Sequence, residues 1–144
     1  MDWSTRKALS WWLSNTMEVD FCIEALEEAM DLFGRPAIFN SDQGSQFTSP
    51  RFTEVLTAAG IRISMDGRGR WMDNVFIERL WRSLKYERAY LHAFETGSEL
   101  RAGPAWWIGY YDTRQPHSGL DDQTPDEAYA SIGAGVDDGT RVAA

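Results

Sequence analysis

Asp42 and Glu78 are the two residues of this 144-residue chain whose type and placement most readily do chemistry. Asp42 follows the short apolar run Ala37-Ile38-Phe39-Asn40-Ser41, so it stands at the end of an expected strand. Glu78 stands near the start of an expected helix, beside the cationic loop Gly67-Arg68-Gly69-Arg70. Carboxylates are hard oxygen donors, which suits magnesium with its several retained waters. Two divalent ions about 3.5–4 Å apart can serve phosphoryl transfer on DNA, one at the attacking and one at the leaving oxygen. Two carboxylates are few for such a pair, and a third would normally bridge the ions. The spacing alone also fits a loop aspartate and a Glu78–Arg82 ion pair on a helix surface.

The other candidates carry less. His92 and His117 have no partner motif, so neither a zinc site nor a catalytic triad is indicated. His117, after Gln115-Pro116, is expected to bond locally. Gly67-Arg68-Gly69 lacks the lysine and serine of a phosphate-binding loop. Trp71 beside Arg70 could stack on a base, while the other tryptophans read as core or helix-packing residues. Cys22 reads as a small core residue rather than a nucleophile.

The charge is unevenly placed. The chain carries a net -8, which argues against an all-over basic nucleic-acid binder. Residues 67–92, however, hold Arg68, Arg70, Arg79, Arg82, Lys85 and Arg88 against Asp73, Glu78 and Glu87. A cationic segment in an acidic chain can grip a phosphate backbone, or it can be a solvated helix face.

These residues need a scaffold, and the pattern describes one. Hydrophobic residues at 43% and charged residues at 25% fit one globular domain and exclude a disordered or fibrous chain. No apolar run approaches the roughly 20 residues of a membrane helix, and the N-terminus has no signal-peptide pattern. The single cysteine fits a reducing cytoplasm. Leu9, Trp11 and Leu13 alternate as a half-buried strand. Asn15 or Thr16 is expected to cap a helix with the stripe Val19, Ile23, Leu26, Met30 and Phe33, stopped by Gly34 and Pro36. A strand at 37–41 follows, then a helix opened by Ser49-Pro50 and ended by Gly60, then a strand at 61–65. The third helix is capped by Asp73 and runs to about Tyr90. Ile77, Leu80, Trp81 and Leu84 form its core stripe, and Glu78, Arg82 and Lys85 share the opposite side. A fourth helix starts at the box Thr96-Gly97-Ser98-Glu99, and Pro104 should kink it or delay its start. Residues 1–132 read as the domain and 133–144 as a disordered tail. The alternation makes an α/β fold with parallel strands, whose functional groups gather beyond the strands' carboxyl ends.

The run Ser41-Asp42-Gln43-Gly44-Ser45-Gln46-Phe47, followed by Asp73-Asn74-Val75-Phe76-Ile77-Glu78-Arg79-Leu80-Trp81-Arg82-Ser83-Leu84-Lys85-Tyr86-Glu87, resembles the catalytic core of bacterial insertion-sequence transposases. These are relatives of retroviral integrase that use two aspartates and a glutamate. The interval between Asp42 and Glu78 is that family's spacing between its second aspartate and its glutamate. The opening Asp2-Trp3-Ser4-Thr5-Arg6-Lys7 and the closing Pro116-His117, Leu120 and Thr124-Pro125 resemble it too. The resemblance implies a ribonuclease-H-like fold, Mg2+ or Mn2+, and strand transfer at DNA ends. It implies Asp42 and Glu78 as catalytic metal ligands, and Gln43, Gly44 and Gln46 as the loop beside the metal. Arg82 and Lys85 become candidates for DNA phosphates, joining Arg68, Arg70 and Arg79 of the cationic segment. The partners implied are transposon ends and target DNA, with self-association or a full-length transposase, in a bacterial cytoplasm at the nucleoid and with no membrane.

The chain departs from the family pattern at several points. The family's first catalytic aspartate lies on a first strand upstream of the segment matching Asp2-Trp3-Ser4, and Asp2 is not its counterpart. Asp112 and Gln115 occupy positions where the family usually has asparagine and arginine. The expected fold is therefore an integrase core lacking its first strand and most of its second, inactive alone. A non-catalytic remnant that binds DNA or joins full-length transposase is the other reading. In the family fold the first strand is flanked by the second and the fourth. The chain must then either re-pair its strands or be marginally stable, and the second is expected.

Overall fold

The computed structural model describes residues 1–14, 16, 18–65, 75–86, 97–133 and 142–143. The chain divides into two compact units, one of Met1–Ser4, Leu9–Val75 and Asp137–Ala144, the other of Thr5–Ala8 and Phe76–Val136.

The first unit is a βαβ arrangement with a helix before it. Helix α1 spans Val19–Phe33, strand β1 Ile38–Ser41, helix α2 Pro50–Ala58 and strand β2 Arg62–Met65. β1 and β2 pair in parallel, with Ile38 opposite Arg62 and Ser41 opposite Met65. Parallel neighbours need a crossover, and α2 provides it. Ser49 caps α2 by accepting the Phe52 N–H at 3.3 Å, and Pro50 stands where a missing N–H costs nothing. Gly60, at a φ of 74°, turns the chain into β2. Leu26, Phe52, Leu56 and Ile61 make the core, with Val19, Ile23, Met30 and Phe39 packed against it. Phe52 sits between Phe39 and Phe47, its ring centroid 5.6 Å and 5.3 Å from theirs. Burying such a side chain contributes about 1.5–3 kcal/mol. Cys22 packs on this core and burial pushes its thiol up, as a core residue requires.

The second unit is helical. Helix α3 spans Val75–Leu84, α4 Gly97–Arg114 and α5 Pro125–Gly133, with a short 3₁₀ turn at Ser118–Leu120. Leu80, Leu84, Trp107, Ile108, Tyr111 and Ala128 are buried. Trp107 stacks on Tyr111 and Trp106 on Tyr110, each pair one helical turn apart.

Several expectations fail. Residues 8–13 alternate but form no strand. Instead, Ala8 N–H donates to the Asp112 carboxylate, while Ser10 Oγ and Trp12 Nε1 donate to Glu28 of α1. The first of these engages the backbone and the other two anchor side chains, so the segment is tied down without a ladder. Thr16 does not cap α1; Glu18 holds that place without a side-chain bond, and Asn15 lies outside the described residues. Trp81 is 52% exposed, outside the stripe that buries Leu80 and Leu84, and Trp12 and Trp106 are exposed as well. Pro104 lies inside α4, which runs on through it. Asp73, Trp71, His92 and the Thr96 box position lie outside the described residues.

The expected disordered tail fails at two residues. Val142–Ala143 form a strand, β3, parallel to β1 with Val142 opposite Ile38, and the sheet order is β2-β1-β3. β1 is therefore paired on both edges. This pairing partners backbone groups at Ile38 and Phe39 that a free edge would leave costly to bury, and the expectation of marginal stability stands to be tested by a melt.

Candidate active site

Asp42 is the first residue after β1, at the carboxyl end of a parallel strand. Its side chain is exposed, and Oδ1 accepts the Gly44 N–H at 2.8 Å. The loop then closes on itself. Phe47 and Thr48 both donate backbone N–H groups to Gly44 O at 3.0 Å, and Ser49 Oγ donates to Gln46 O at 2.8 Å. Gly44 is required for this closeness, since an added Cβ would lie 2.8 Å from Asp42 Oδ1 and 3.2 Å from Gln46 Oε1. One carboxylate oxygen is thus held by the backbone, on an exposed side chain. Gln43 is exposed beside it. The loop that the sequence singled out is a built one.

Glu78 lies in the first turn of α3, where the helix dipole favours a carboxylate. It is exposed and makes no ion pair with Arg82, so the surface-pair alternative is not the arrangement found. Arg79, Arg82 and Lys85 are exposed on the same helix and its continuation. Arg68 and Arg70 lie outside the described residues. Asp42 and Glu78 belong to different units of the fold. Among the described residues no three His, Cys, Asp or Glu side chains gather as a metal cage. The donor chemistry of Asp42, an exposed carboxylate with one oxygen held, fits a hard divalent cation.

Sequence reasoning missed Arg6. Its backbone is left-handed, with a φ of 62°, and its guanidinium lies 4.8 Å from the Phe76 ring centroid. It shares with α3 a cavity of about 240 Å³, lined also by Arg79, Arg82, Gln115 and His117. Its sequence sign was its place in the opening segment Asp2-Trp3-Ser4-Thr5-Arg6-Lys7 that resembles the family, which gives it no role. His117 bonds locally through its backbone, donating to Gln123 O and accepting from Leu120 and Asp122 N–H groups. Its ring meets Tyr111 edge-on at 4.9 Å, and burial followed by the nearby Arg6 charge lowers its pKa.

Two models of the integrase core domain match the chain, one over residues 1–70 and the other over 59–125. The chain belongs to the integrase-core family. This integrase core is 33% identical over 128 residues to the transposase of insertion element IS904 from Lactococcus lactis, covering 87% of this chain and 51% of the relative. It is 30% identical over 131 residues to the IS629 transposase from Shigella sonnei, covering 87% and 44%. The chain thus spans about half the length of these curated relatives. The magnesium-bound catalytic core of HTLV-2 integrase superposes with a TM-score of 0.65 at 20% identity, covering 83% of this chain and 74% of that one. That likeness gives the fold: a ribonuclease-H-like integrase core of the α/β class.

Proposed function

We propose that this integrase core serves DNA transposition by metal-dependent strand transfer, with Asp42 and Glu78 as its metal-binding carboxylates. The observation that carries this is Asp42 itself, poised at the end of β1 with Oδ1 held by Gly44 and its side chain exposed. The relatives described as insertion-element transposases, and the magnesium in the HTLV-2 core, support it. Mg2+ or Mn2+, when bound, would supply Lewis-acid stabilisation at the phosphoryl oxygens. The protein's own share is to orient the Asp42 carboxylate through the closed 42–49 loop, to present Glu78 at a helix start, and to hold DNA phosphates with Arg79, Arg82 and Lys85. The HTLV-2 core is described in dimeric and trimeric forms. Self-association, or assembly with a full-length transposase, is the corresponding proposal here. DNA binding without catalysis is the second reading, favoured by the arginines of α3, which need no metal to contact phosphate.

The test has two parts. Manganese titration of the wild-type chain should show binding that Asp42→Asn and Glu78→Gln each weaken at least tenfold; binding indifferent to both substitutions would sink the assignment. Metal-dependent nicking and strand transfer on labelled DNA ends, assayed with the chain and with a version extended upstream, should vanish with Glu78→Gln in whichever form is active. DNA binding without activity in any form would leave the second reading.

A further inference from the structure

The cavity at Arg6 has the makings of an anion site separate from Asp42. Arg6, Arg79 and Arg82 are among the residues that line one volume of about 240 Å³. None of the three forms an ion pair among the described residues. On the same wall, Gln115 Oε1 and His117 Nε2 are shut off from water and have no hydrogen-bond partner. Buried polar atoms in native proteins nearly always have partners, and those without one mark a missing ligand or water. Oxygen and nitrogen of an amide exchange places on a half-turn, so Gln115 can present its NH2 to the cavity. Burial and then the Arg6 charge lower the His117 pKa, which favours the neutral ring, and a neutral ring can carry its proton on Nε2. Arg6 holds a left-handed backbone that non-glycine residues adopt at a cost, and such strain gathers at working sites. A side chain at Gly119 would run into the Arg6 guanidinium, so the group is held on that side as well as over Phe76.

We propose that this pocket seats one backbone phosphate of bound DNA, with Arg6, Arg79 and Arg82 neutralising it and Gln115 and His117 donating to its oxygens. The proposal rests on the DNA reading above, and it adds a clamp built from the N-terminal segment and the His117 loop. Phosphate is the shared chemistry of a DNA backbone and a free small anion, so the experiment must separate them.

The whole chain is titrated with a short labelled duplex at several salt concentrations, and separately with inorganic phosphate, while the imidazole resonances of His117 are followed. Arg6→Gly removes the guanidinium and places at φ 62° the residue that adopts it freely, so lost binding is not lost folding. Gly119→Ala displaces the same guanidinium without removing it. Both variants should weaken duplex binding about tenfold and lower the slope of log affinity against log salt by about one. The duplex should also shift His117. Unchanged affinity and slope in Arg6→Gly would overturn the pocket while leaving the manganese test of Asp42 untouched. A His117 shift with inorganic phosphate but not with duplex would overturn it in favour of a small-anion site. No duplex binding by the wild type at low salt would overturn it together with the DNA reading.

Discussion

Asp112 is a carboxylate whose ionisation the fold resists. Burial pushes its pKa up to about 6, against the lowering effect of the Ala8 N–H and the Lys7 charge. Because the folded value lies above the unfolded one, the native state holds a proton that the unfolded chain has released. Stability is therefore greatest below about pH 4 for this group and falls as pH rises through 6. Asp112→Asn keeps an acceptor for Ala8 and removes the charge. Urea unfolding across pH 4–7 should show the variant flatter than wild type and more stable at pH 7, by on the order of 2 kcal/mol. A wild-type curve with no loss between pH 4 and 6 would refute this. At this scale the sequence spoke unevenly. Asp42 and Glu78 could be picked out because strand ends and helix starts are visible as patterns. Asp112 was visible as a departure from a family motif, and Arg6 only as a member of the opening segment, without a role, since burial and a positive φ come from distant contacts.

The elements show why local patterns succeed in some places and fail in others. Ser49-Pro50 predicts the start of α2 because both signals act within one turn. Thr124-Pro125-Asp126-Glu127 carries the same kind of signal and begins α5, a helix the pattern analysis passed over. There Thr124 Oγ1 accepts the Glu127 N–H at 3.3 Å, and Glu127 Oε2 accepts the Thr124 N–H at 2.9 Å. Thr124→Ala breaks the reciprocal pair and should cost about 1 kcal/mol, seen as a lower urea midpoint at unchanged slope. No change would mean α5 is held by Ala128 and the Lys7–Asp126 pair alone. Residues 8–13 failed for the opposite reason. Alternation states that one face is buried, but a strand also needs a neighbouring backbone, and here the Ala8 N–H bonds to Asp112 while the Ser10 and Trp12 side chains bond to Glu28.

Across the whole chain, the βαβ order gave the parallel pairing of β1 and β2, because connection length and handedness leave few choices. The composition of residues 133–144, small and acidic, gave no hint that two of them would join a sheet. Val142–Ala143 pair with Ile38 and Phe39, and Phe39 rests on Phe52 in the first unit's core. A strand so short has little stability of its own; it persists because it covers an edge of β1 that would otherwise leave backbone groups without partners. Proline removes an N–H and is poorly tolerated in a ladder. Val142→Pro should therefore lower Tm by roughly 5 °C, from a loss of about 1–3 kcal/mol. Amide exchange at Phe39 and Asn40 should quicken in the variant while exchange in α5, in the other unit, stays as it was. If Tm and exchange are both unmoved, β1 does not depend on this edge, and the sheet's stability rests on β2 and the Phe52 core.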